Sequence, residues 1–345
     1  MKRSREAGMH FALSEDQRIL QRTTDEVCAE LLAESPAADA RADGGALRAR
    51  LWSKLVELDL VGLLVPEHQG GAGGSLTDAC VVAEALGRHI APVPYVGTAI
   101  AAAALLRYAD GPEEPLARLC GGDAYSVLLD ERLGHPVDTA TVAFDWVDGA
   151  RGVALSPDGR ATVHELADAD PIIDVDPLHR LCRVRAVPSG AAFGEGARRA
   201  RAVAWTGAAA LLTGLADGAL RQAVDYARQR EQYDRPIGSF QAVQHLCADM
   251  LVDVETSRSI TYGASWAAEH APIDEAERVA AGAKAHAGAA AVRVCETGIQ
   301  VLGGIGVTQE HDAHLRLRGA HLHHAAFGNS DAPLMLLAGR VLEKV

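Results

Sequence analysis

Three stretches in the C-terminal half carry residue types that can do chemistry. The first runs Tyr226-Ala-Arg-Gln-Arg-Glu-Gln-Tyr-Asp-Arg-Pro-Ile-Gly-Ser-Phe-Gln241. Arg228, Arg230 and Arg235 crowd a helix end and a Pro-Ile-Gly turn, and a guanidinium grips a pyrophosphate with two parallel N–H groups. Cations at a helix C-terminus also complement its dipole, so the arginines alone leave both uses open. The second is Gln300-Val301-Leu302-Gly303-Gly304. Glycines let backbone N–H groups approach a cofactor closely, although a lone Gly-Gly is equally a helix stop. The third holds His311, His314, His321, His323 and His324. His314, His321 and His324 fall near helical turns, a spacing a metal could use, yet no carboxylate or cysteine completes a usual ligand set. A polar helix face is the expectation there and no metal is expected, with His323 and His324 kept as candidates for proton transfer.

The spacing across these stretches resembles that of the acyl-CoA dehydrogenases, FAD enzymes that oxidise acyl thioesters at the α,β bond. The resemblance rests on Gly303-Gly304-Ile305-Gly306, Glu310, Arg318, Ala320 and Phe327-Gly328-Asn329-Ser330, gap-free against the family's C-terminal pattern. It extends to the family's R-x-Q-F-G-x-P-I-x-x-F-Q signature, where Arg230 and Gln241 take the FAD-contacting positions and Tyr233-Asp234 replaces Phe-Gly. In the N-terminal half it covers Phe11-Ala-Leu-Ser-Glu-Asp-Gln17, Trp52 to Glu67, Gly70-Gly71-Ala72-Gly73 and Glu84-Ala-Leu-Gly87-Arg88. By resemblance, FAD is the cofactor. Arg230, Gln241, Gln300, Val301, Leu302, Gly303 and Gly304 would touch it, the last segment reaching the FAD of a neighbouring subunit. Asn329, Ser330 and Asp331 would stand at the flavin end.

One departure decides how the chemistry is read. The family's base is the Glu of Glu-Gly-Thr-Ser, and this chain has Phe327 there. Abstraction of an α-proton needs a carboxylate whose pKa is lifted by burial, and a phenyl ring accepts no proton. The alternative family position, on the first long C-terminal helix, falls at about Ala204-Trp205, again without an acid. The catalytic residue is therefore unknown, with Asp331, His323 and His324 as weak substitutes. The family's Thr-Glu-Pro-x-x-Gly-Ser-Asp and Trp-x-Thr/Ser motifs are missing between 121 and 190. Ser126 to Glu131 stands as a shortened remnant of the first, and Asp145-Trp146 offers a Trp in another context. Some bacterial members acting on steroid side-chain thioesters are heterotetramers in which one subunit lacks the base. The resemblance thus implies a subunit of a homo- or hetero-oligomer acting on an acyl-CoA or acyl-carrier thioester. The alternative is the same scaffold with a non-redox or purely binding role on an acyl thioester.

The elements that must position these groups follow from the rest of the chain. Residues 1–120 read as an all-α domain. Ser14-Glu-Asp-Gln17 has the form of a capping box, and Gly and Pro density from Val65 to Gly74 marks a loop. Residues 121–190 read as a small, shortened β domain of short runs such as Ser126-Val-Leu-Leu, Thr141-Val-Ala-Phe and Ala161-Thr-Val-His, broken by Asp148-Gly149 and Pro157-Asp158-Gly159. Residues 191–345 read as a C-terminal antiparallel four-helix bundle with helices over 202–229, 241–271 and from Asp274, capped by that Asp, to about Leu302. The fold class is mainly α. A chain of 345 residues with 48% hydrophobic and 23% charged residues fits a globular protein of more than one packed unit. A formal charge of −13 argues against nucleic acid as a partner. Six scattered cysteines without a C-x-x-C pair read as reduced thiols of a cytoplasmic protein. The longest continuous apolar run, Val96 to Leu106, is too short to span a bilayer, so no membrane is expected.

Overall fold

A computed structural model of the chain describes residues 12–33, 45–130, 133, 141–156, 158–166, 170–172, 176–185 and 194–342. Phe11, Pro157 and Glu131 lie outside the described residues. Helix α1 (Glu15–Ala33) opens with the expected box: Ser14 Oγ accepts from Gln17 N–H at 3.2 Å while Gln17 Oε1 accepts from Ser14 N–H at 3.0 Å. Helices α2 (Ala46–Glu57) and α3 (Leu76–Arg88) follow, and α3 carries a second box from Ser75 and Asp78. A wide π-helical stretch, Tyr95–Ala102, runs into α4 (Ala103–Tyr108), and α5 (Glu114–Cys120) closes the first helical part.

The six-stranded sheet comprises β1 (Tyr125–Asp130), β2 (Thr141–Phe144), β3 (Arg151–Leu155), β4 (Ala161–Glu165), β5 (Asp170–Ile172) and β6 (Leu181–Val184). Its order is β4-β3-β1-β2-β6-β5, with β1 and β3 parallel and all other pairs antiparallel. The Asp148-Gly149 turn therefore joins strands that are not neighbours, and the link passes across β1. Strand β5 escaped the sequence reading because it holds Pro171, which a sheet tolerates at its edge, where β5 lies.

The C-terminal part is built from α6 (Glu195–Gln229), α7 (Gln241–His270) and α8 (Ile273–Leu302), then α9 (Ala313–Ala325) and α10 (Asp331–Leu342). A two-stranded hairpin, β7 (Glu231–Gln232) and β8 (Arg235–Pro236), joins α6 to α7. Helix α6 starts seven residues earlier than its apolar pattern suggests, because Arg198 and Arg201 on its first turns are paired to Glu277. The expected cap by Asp274 is not made. Pro272 precedes α8, and Asp274 sits in the first turn bound to Arg198 at 2.6 Å. Helices α3 and α6 touch backbone to backbone: a Cβ at Gly214 would lie 2.0 Å from Glu84 O, and one at Gly87 2.3 Å from Leu211 O. Arg88 locks this contact, reaching Asp217 of α6 at 2.5 Å and Asp25 of α1 at 2.7 Å. Helix α6 is long and apolar enough to cross a membrane, as is Ile273–Val307, but the apolar stretch of α6 is entirely covered by protein. All six cysteines are free thiols, with Cys120 and Cys247 only partly buried.

Candidate functional site

The chemistry-bearing residues fall into two groups at opposite ends of the bundle. The first lies where α6 and α8 end. Arg228, Gln229 and Leu302 line one open cavity of about 1600 Å³, so the Arg230 and Gly303 segments share its rim. Arg230 and Gln241 are exposed. The hairpin between them turns on two residues with positive φ, Tyr233 (55°) and Asp234 (59°), a region that Asp tolerates better than most side chains. Tyr233 is 87% exposed, and Arg235 stacks 4.1 Å above the ring of Phe240. Gly303 (φ 64°) and Gly304 have nothing within 4 Å of where a Cβ would be, so their backbone is open to a ligand. Gln300 is exposed, whereas Val301 and Leu302 are buried. The side chain of Val301 belongs to the core, so that segment offers a ligand its backbone rather than this side chain.

The second group surrounds Phe327. Its ring meets Phe144 at 5.2 Å between centroids, Phe144 meets His323 at 5.5 Å, and His323 meets His179 at 4.7 Å. Trp205 Nε1 donates to Phe327 O at 2.9 Å. All five side chains are buried. His323 Nε2 and His179 Nδ1 lie 3.1 Å apart, and burial, with His179 and Lys284 nearby, holds His323 far below its ordinary pKa. The His323 imidazole is thus neutral and sealed from solvent, which removes it as a substitute base. Asp331 is exposed and its carboxylate accepts from Asn329 Nδ2. His324 is half-buried, with Nε2 2.7 Å from Ser330 Oγ.

Two residues in this second group were not singled out from the sequence. Lys284 of α8 is fully buried and donates to His324 O at 2.7 Å. Burial pulls its amine down to about 7. Gly288, one turn on, makes room for the His324 ring, since a Cβ there would come 2.9 Å from its Cδ2. The signal was legible: Lys284 stands on the Ala280-Ala281-Ala283-Ala287-Ala291 face, where a lysine has no solvent. Among the described residues no group of three or more His, Cys, Asp or Glu side chains is placed to hold a metal ion.

Twenty-four residues of α6 separate Trp205 from Gln229, about 36 Å at 1.5 Å per residue. No single FAD bridges that distance while also touching both groups. The rim segments carry an exposed guanidinium, Arg230, and two open glycines, groups suited to a diphosphate. At the Phe327 end the rings of Phe144, Phe327 and His323 pack on one another in the interior.

Residues 14–114 match the acyl-CoA dehydrogenase N-terminal domain and residues 199–342 the acyl-CoA dehydrogenase C-terminal domain. The chain is 33% identical over 312 residues to acyl-CoA dehydrogenase IpdE2 of Mycobacterium tuberculosis, covering 89% of this chain and 91% of the relative. It is 36% identical over 289 residues to acyl-CoA dehydrogenase FadE34 of the same organism, covering 79% of this chain and 39% of that longer protein. Among solved structures it is similar to a steroid acyl-CoA dehydrogenase variant, Tcur3481-Tcur3483 G363A, with TM-score 0.78, 28% identity and coverage of 96% of this chain and 98% of that one.

Proposed function

We propose that this chain, which belongs to the acyl-CoA dehydrogenase family, serves FAD-dependent α,β-dehydrogenation of an acyl-CoA as the base-lacking subunit of an oligomer. The family is one of FAD-dependent oxidoreductases, which supports FAD as the cofactor in this reading. The single observation that carries the subunit reading is Phe327. It stands at the base position with its ring packed on Phe144 and its carbonyl bound by Trp205, while Arg230, Gln241, Gly303 and Gly304 remain open on a distant rim. A subunit arranged this way offers the rim to a flavin seated in a partner and brings no base of its own. Bound there, FAD supplies the hydride acceptor. The partner supplies the carboxylate that takes the α-proton. In this chain Arg230 and the glycine N–H groups would hold the diphosphate. The two-component name of the steroid acyl-CoA dehydrogenase relative supports an assembly of unlike subunits. Exposed Leu251, Val252, Ile305 and Val307 supply apolar surface for such a contact. We place the complex in the cytoplasm.

Co-expression with a second family member that carries the Glu, followed by flavin counting, tests this. A stable complex with about one FAD per pair of unlike subunits supports it. A homo-oligomer loaded with about one FAD per chain overturns it.

A further inference from the structure

Three locally unfavourable features meet at one pair of side chains. Lys284 is a lysine with 0% exposure and, among the described residues, no carboxylate partner; its amine donates to the His324 carbonyl. Gly288 lies inside a 30-residue helix, where glycine costs about 1 kcal/mol relative to alanine. Phe327, Gly328 and Asn329 have φ of 61°, 101° and 41° in succession, and a side-chain-bearing residue at positive φ costs about 1–3 kcal/mol. Each bears on His324 and Ser330. Lys284 pins the His324 carbonyl. The missing Cβ at Gly288 lets the ring lie against α8. The positive-φ turn ends at Ser330 and delivers its Oγ to His324 Nε2 at 2.7 Å. Several local rules broken around one spot mark it as a place to look for function.

The geometry points to Ser330 and His324 as a nucleophile and general base that cleave an acyl thioester or activated ester. His324 takes the Ser330 proton on Nε2 as Oγ attacks the acyl carbonyl carbon. The carbon–sulfur bond breaks, and the leaving thiolate takes the proton back from His324. A water, deprotonated by His324, then attacks the acyl-serine ester, releasing the carboxylic acid and restoring the Ser330 hydroxyl. No redox partner enters. Ser330 immediately precedes the twelve-residue α10, whose N-terminal dipole favours the developing oxyanion. Burial, together with the Lys284 amine, holds His324 below its ordinary pKa, so the ring is neutral at pH 7 and able to accept a proton.

This activity rests on the reading that the chain handles acyl thioesters, and its test is independent of flavin. The purified chain is given butyryl-CoA, with free thiol followed by a chromogenic disulfide, and separately p-nitrophenyl butyrate. It is also treated with a fluorophosphonate probe and mapped by mass spectrometry. The expected result is thiol and nitrophenol release, an adduct on Ser330, and a loss of about 100-fold or more in Ser330→Ala and His324→Gln alike. Gly288→Ala, which displaces the ring, lowers the rate while circular dichroism stays native. Equal rates in wild type and Ser330→Ala, with no adduct on Ser330, overturn the assignment whether or not a flavin-bearing complex forms. An adduct with p-nitrophenyl ester cleavage but no thioester cleavage keeps the dyad and overturns the thioester as its substrate.

Discussion

Replacing Lys284 by methionine should change how stability responds to pH. In the folded chain burial brings the amine from its ordinary 10.5 to about 7. Between those values the unfolded chain holds a proton that the folded chain does not. Unfolding therefore takes up a proton in that window, and stability rises with pH by about 1.4 kcal/mol per unit. The whole window is worth at most about 5 kcal/mol; below about pH 7 both states are charged and the penalty of the buried ammonium is constant. His323 and His324 are both pulled below the ordinary histidine range and titrate under this window. The buried thiols Cys28 and Cys295, raised to about 12, act in the opposite sense only above about pH 9. Urea unfolding of wild type and Lys284→Met between about pH 7 and 8.5 isolates the lysine. Wild type should gain about 2 kcal/mol relative to the variant over that interval. Losing the bond to His324 O shifts the variant by a constant that does not enter the slope. If the two proteins show the same slope, Lys284 is not neutral in the folded chain and the reasoning about its burial fails.

Phe327→Glu puts a carboxylate among Phe144 and Trp205 and should cost about 2–4 kcal/mol of stability without conferring dehydrogenase activity on the isolated chain, by urea melts and dye reduction. Activity gained with added FAD and no partner would mean a flavin slot exists at that end. Asp234→Gly removes a negative charge from the exposed hairpin beside Arg230 and should tighten flavin retention in the assembled complex several-fold, about 1 kcal/mol, read by FAD release on dilution. Gly214→Ala drives a Cβ to 2.0 Å from Glu84 O and should destabilise the chain by about 2–3 kcal/mol or more, visible as a lowered thermal midpoint.

The helical halves and the small sheet were legible because their signals are local: the Ser14–Gln17 box, the apolar periodicity of α7, and the alternation of short β runs with turns. The strand order was not, because it depends on which edges meet, and neither β5 nor the parallel β1–β3 pair has a mark in the sequence. For the site, the spacing of Arg230, Gln241, Gly303 and Gly304 identified a rim whose geometry the helix ends then supplied. The aromatic cluster at Phe327 lay hidden because Phe144, His179 and Trp205 come from distant segments and meet only in the fold. Asp274 misled because a side chain able to cap was recruited by Arg198, a partner 76 residues away.

The close fit of α3 against α6 also sets a hazard during synthesis. Every residue of α3 except Thr77 and Asp78 is buried, yet α6 begins more than a hundred residues later. At about 5–20 residues per second, the ribosome leaves that apolar rod without its mate for about 5–20 s. Over those seconds the emerging N-terminal half is a sticky client for a holdase, and any stall in translating the sheet lengthens its exposure.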